Sequence, residues 1–177
     1  VKEGANQFNW DMTYDGAERL PGMILWWAST QGPQQIPGEY IVKLNVNGTD
    51  YSQPYTVLAD PRSEATVADM QAQFDFISDV NETVDHAHQS IKKIRNINTQ
   101  LSAFEKQYKD NPDTEELREK SKTLREDLEE IEKALYQTKN RSGQDPLNFP
   151  IKLTNKLAHL NSLVGMGDFA PTDQDVA

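Results

Sequence analysis

Apolar and polar positions alternate along residues 39–46, and from residue 66 onward apolar residues recur every three to four positions instead. In the first stretch Tyr40, Val42, Leu44 and Val46 interleave with Ile41, Lys43 and Asn45. That period of two predicts a strand with one apolar and one mixed face, half-buried in a sheet. Asn47-Gly48 follows, and residues 49–58 resume a strand-like composition. Asn-Gly supplies the two positive φ values of a type I′ turn, so the pair reads as a hairpin. Residues 7–12 and 23–28 are short runs rich in aromatic and aliphatic residues, set off by Asp15-Gly16 and Pro21-Gly22, and read as two further strands. Four strands are too few to close a β-sandwich, which uses about seven. The expectation is a partial sandwich with an open edge that some other strand covers.

The change of period falls after Asp60-Pro61. Thr66-Val67-Ala68-Asp69 has the form of a capping box, with Asp69 in place of the usual Glu. Met70, Ile77, Val84 and Ile91 then recur every seven residues, interleaved with Val80, Ala87, Ile94, Leu101 and Tyr108. This seam predicts one helix over 66–108, about 65 Å long and in need of partners along its length. Asn111-Pro112-Asp113 makes a turn with Asp113 as N-cap, and a second helix over 113–140 carries Leu117, Leu124 and Ile131 at one heptad position and Leu128 and Leu135 at the other. The short turn predicts an antiparallel hairpin in which the two seams meet. A third helix over 150–164 presents Ile151, Leu153, Leu157, Leu160 and Val164, and Thr172 caps a fourth that stops within a turn. The fold class is therefore α+β: a partial antiparallel sandwich of the immunoglobulin or fibronectin type over 1–60, then a helical bundle over 61–177. The opening residues lack the pattern of a signal peptide, and both ends read as cuts within a larger protein.

Composition narrows the functions open to such a chain. A formal net charge of -10 opposes nucleic acid, since phosphate binding needs clustered Lys and Arg. No apolar run reaches the ~18 residues of a membrane span. With no cysteine there is no disulfide, thiolate nucleophile or Cys-based zinc site.

Candidate chemistry is thin. His86 and His88 lie two apart on a helix and point away from each other, so they read as a solvated face that cannot share an ion. Asp11, Asp15 and Asp50 could supply oxygen ligands to calcium but lack the loop spacing of a known site. The Glu residues of the second helix alternate with Lys and Arg as a solvated face, unlike a carboxylate pair across a cleft. The reading is therefore no catalytic residue, no metal and no cofactor. Trp10, Tyr14, Trp26 and Trp27 are carbohydrate-stacking candidates or interface contacts, and as neighbours on a strand Trp26 and Trp27 would face opposite ways. Packing is the favoured use.

Three stretches carry a resemblance. They are residues 4–12 together with Pro37-Gly38-Glu39-Tyr40-Ile41-Val42, then Ala59-Asp60-Pro61-Arg62, and finally residues 148–160 followed by 167–174. Together they resemble the C-terminal region of large bacterial secreted proteins with sortilin-like (BNR, Asp-box) β-propellers, often labelled glycosyl hydrolases. The resemblance implies an upstream propeller as neighbouring partner, closing strands of an Ig-like sandwich in residues 4–12 and 37–42, and location outside the cell or in the envelope. It brings no propeller catalytic residue onto this chain. The expected function is a structural and protein-interaction module, with a homodimer through the helices as a further partner reading; the alternative is a carbohydrate-binding accessory domain.

Overall fold

A computed structural model describes residues 3–176; Val1, Lys2 and Ala177, at the two ends considered above, lie outside them. The chain is mixed α+β. In chain order it forms β1 (Gly38–Val46), β2 (Thr49–Val57), α1 (Val67–Gln107), a 3-10 turn at Pro112–Thr114, α2 (Glu115–Leu135), a second 3-10 turn at Asp145–Leu147, α3 (Leu153–Val164) and α4 (Asp173–Val176). Backbone proximity gathers it into two compact units. One comprises Val1–Gly16, Gln31–Asp79 and Val164–Ala177, and the other Ala17–Thr30 and Val80–Leu163.

In the first unit β1 and β2 form a two-stranded antiparallel sheet running from Gly38 opposite Val57 to Val46 opposite Thr49. Asn47 (φ 51°) and Gly48 (φ 85°) take the left-handed values that a type I′ turn requires. The sheet is less buried than the alternation predicts: Ile41, Val42, Leu44 and Tyr51 are all exposed. Only its base is tied down. There the rings of Tyr40 and Tyr55 stack at 5.6 Å, the Tyr40 hydroxyl donates to the Ile36 carbonyl, and that of Tyr55 donates to Gln35 Oε1.

Residues 7–12 do not form the expected strand. Met12 adopts φ 62°, outside the extended region, and pairing in this segment is limited to an isolated bridge between Thr13 and Gln34. Gly32 makes that approach possible, because a Cβ there would sit 2.0 Å from the Tyr14 carbonyl oxygen. On α1, Thr66 and Asp69 cap each other as the sequence predicts: the Asp69 amide donates to Thr66 Oγ1 at 3.1 Å, and the Thr66 amide donates to Asp69 Oδ2 at 2.8 Å. Met70 and Ile77 are buried. Gln73 Nε2 donates to the carbonyls of Val164 and Gly167 and so holds the turn after α3. Thr172 and Asp175 repeat the capping pattern at α4, with the Thr172 amide and hydroxyl both donating to Asp175 Oδ2.

The second unit is helical. Val80, Val84, Ile91 and Ile94 of α1 are buried, as the heptad pattern predicts, and Leu101 is half-buried. Ile91 sits at the centre of a cluster with Leu20, Met23 and Tyr136, against which Leu25 and Leu135 pack. Three local expectations are corrected. The turn before α2 is capped by Asn111, whose side chain accepts from the Asp113 amide, because Pro112 starts a 3-10 turn one step before the helix. α2 ends at Leu135 and not near 140, since Tyr136 turns extended (φ −137°, ψ 145°) and buries its ring in the cluster. Residues 23–28 form no strand either; Trp27 takes φ 48°, and the segment is bonded to α3 instead of to a sheet.

Candidate interaction surfaces

α1 and α2 run antiparallel through contacts that pair early residues of one with late residues of the other. Ser121 Oγ donates to Glu105 Oε1 at 2.7 Å, Arg125 Nη1 to Glu105 Oε2 at 2.8 Å, and Arg95 Nε to Glu132 Oε1 at 2.8 Å. The Arg95 guanidinium also lies over the Tyr136 ring, 5.8 Å from its centre. These partners hold Glu105 below the usual carboxylate range, chiefly through the Ser121 hydrogen bond and then through Arg125.

The face that α2 turns inward is therefore largely polar. Its less exposed positions include Arg118, Ser121, Arg125, Leu128, Glu132 and Leu135, spaced alternately three and four apart, with Glu129 beside Leu128. Leu117, Leu124 and Ile131, expected in the seam, lie outside it at 56, 45 and 52 % exposure. The cause lies on α1: between Ile94 and Leu101 it offers Arg95, Asn98 and mostly polar neighbours, and farther along Glu105. Setting Arg95 and Glu105 against leucine would leave them without the Glu132, Ser121 and Arg125 partners they have, at a cost of about 1–3 kcal/mol each. What results is a heptad-spaced apolar row left about half exposed along a charged helix.

The aromatic candidates separate by surroundings. In the first unit Trp10 and Tyr14 are partly exposed; the Trp10 indole donates to the Thr13 carbonyl at 2.9 Å, and the Tyr14 ring meets Phe74 edge-on at 4.9 Å. In the second unit Trp26 is half-buried and Trp27 is 73 % exposed. Their backbones are gripped by α3. Asn155 bonds both peptide groups of Trp26, and His159 Nδ1 donates to the Trp27 carbonyl at 2.6 Å. The Trp27 ring is thereby held out on a fixed backbone.

The histidines diverge from the solvated face expected of them. His86 is exposed, but His88 is fully buried and its Nδ1 donates to the Glu18 carbonyl. Around it the Glu18 carboxylate takes Lys92 and Gln89. These bonds, led by that of Lys92, hold Glu18 below its ordinary value. Sequence reasoning misses His88 because its partner is a main-chain carbonyl seventy residues away. Among the described residues no group of three or more His, Cys, Asp or Glu could hold a metal ion, and no helix is long and apolar enough to cross a membrane. No family model, curated protein or solved structure matches this chain.

Proposed function

We propose that the chain is a non-catalytic structural and protein-interaction module that takes up a partner helix along α2. The observation carrying this is the row Leu117, Leu124 and Ile131, over two-fifths exposed at each position and spaced to form one side of a coiled-coil seam. Its parent, in this reading, is a secreted bacterial protein with an upstream β-propeller. The hairpin β1–β2 is then the closing pair of an Ig-like sandwich, and its bare apolar face is where the remaining strands lie. Support for the parent is the sequence resemblance of residues 4–12, 37–42, 59–62, 148–160 and 167–174.

A second copy is the simplest partner for the row. Light scattering over a range of concentrations tests it: association is expected for the unaltered chain and clearly weaker association when Leu117, Leu124 and Ile131 are all changed to Gln. Equal association of the two proteins sinks the α2 surface. Cleavage of a glycoside by the purified chain sinks the non-catalytic reading.

The second reading, a carbohydrate-binding accessory domain, is favoured by Trp27, whose exposed indole offers a stacking platform. Glycan-array binding that survives Trp26→Ala and disappears with Trp27→Ala would support it. Absence of any glycan signal would end it.

A further inference from the structure

We propose that β1 is a self-recognition edge, pairing antiparallel with β1 of a second copy of this chain about a two-fold axis at Ile41. This goes beyond the α2 surface and stands without it. The two-residue turn makes Val46 and Thr49 the closing hydrogen-bonded pair, so residues along each strand alternate in the direction their peptide groups face. Gly38, Tyr40, Val42, Leu44 and Val46 turn toward β2. Glu39, Ile41, Lys43 and Asn45 turn their N–H and C=O groups outward, where the two-stranded sheet supplies no partner strand. The outward set on β2 is Asp50, Ser52, Pro54 and Thr56, and Pro54 has no N–H to give. Of the two edges, β1 alone is an unbroken template.

Charge selects both occupant and register. A symmetric pairing centred on Ile41 sets Glu39 opposite Lys43 of the second copy, and Lys43 opposite its Glu39, on one face of the joined sheet. Centring on Glu39 or on Lys43 sets like charges opposite each other. Centring on Tyr40 or Val42 produces no ion pair at all. Lys43 makes no ion pair among the described residues, and Glu39 uses one carboxylate oxygen, Oε1, to accept from Thr56 Oγ1, so both are available. On the other face the same register brings Tyr40 opposite Val42. Phe8 and Trp10 stand across an open groove from Ile41, Val42, Lys43 and Tyr55 without forming a strand on that edge.

The test is sedimentation velocity on the full chain over about a hundredfold concentration range, in the background with Leu117, Leu124 and Ile131 changed to Gln, so that failure of the α2 surface is read separately. Glu39→Lys and Lys43→Glu are each expected to weaken association by ~10-fold or more, and the double exchange to bring it back close to the background value. Glu39 and Lys43 are four apart in one strand, too far to meet within a copy, so restoration reports pairing between copies. Ile41→Pro, which removes an outward N–H and fixes φ while deleting no N–H that faces β2, is expected to abolish it; circular dichroism establishes that each variant is folded. A chain that stays monomeric throughout overturns the proposal, as does association indifferent to the reversals. Amide protection of residues 7–12 without self-association also overturns it, by assigning the edge to the chain's own segment.

Discussion

Asn155 holds both peptide groups of Trp26. Its Oδ1 accepts from the Trp26 amide at 2.6 Å, and its Nδ2 donates to the Trp26 carbonyl at 2.9 Å. A side-chain amide thus imitates a neighbouring strand for a single residue, and the Ser29 amide continues the attachment by donating to the Ala158 carbonyl at 3.0 Å. Asn155 is itself buried. Replacing it with Ala is expected to cost about 2 kcal/mol, because two partially buried backbone groups lose their partner together. A lowered urea midpoint with an unchanged slope checks this, and no change in midpoint would show the clamp to be dispensable.

The seam residues are not equivalent. Ile91 is fully buried at the centre of the Leu20, Met23 and Tyr136 cluster, so Ile91→Ala is expected to destabilise by about 3 kcal/mol. Leu124 has the same apolar character but lies outside the packed face, and Leu124→Ala is expected to stay within about 0.5 kcal/mol. Comparing the two melting curves decides whether the inward face of α2 is the polar one.

Glu105 links stability to pH. Its carboxyl lies below the ordinary 4.5 because Ser121 and Arg125 favour the ionised form. A carboxylate depressed in the folded state contributes stability that is full above its unfolded pKa and is lost as pH falls through the folded value. The advantage of the unaltered chain over Glu105→Gln is therefore expected to be steady above about pH 5 and to shrink as pH drops below 4.5. Urea titrations of both proteins at several pH values measure it; a difference independent of pH would mean that the ionised form is not what Ser121 and Arg125 hold.

Much of the helical half is legible in the residues because its signals are local. Thr66 with Asp69 marks the start of α1, Thr172 with Asp175 marks α4, and the heptad from Met70 to Ile91 picks out buried positions. Asn47-Gly48 likewise specifies its own turn. What fails is the inference from apolar spacing to contact. Leu117, Leu124 and Ile131 have the spacing of a seam, yet the choice of face lay with Arg95 and Glu105 on the other helix, whose need for partners no hydrophobic pattern records. Residues 7–12 and 23–28 have strand composition, but Met12 and Trp27 take left-handed backbone values and neither run joins the β1–β2 sheet. Their partners, Gln34 for Thr13 and Asn155 for Trp26, are distant polar contacts with no periodic signature.

The polar joint between α1 and α2 has a mechanical consequence. A seam of identical leucines can slip by a heptad and find equivalent neighbours, whereas Glu105 has Ser121 and Arg125 at one level and Arg95 has Glu132 at another. Sliding either helix by one turn, about 5 Å, would part all three bonds at once. The hairpin is thereby indexed like a keyed shaft, and whatever grips α2 from outside meets its apolar row at a set height along α1.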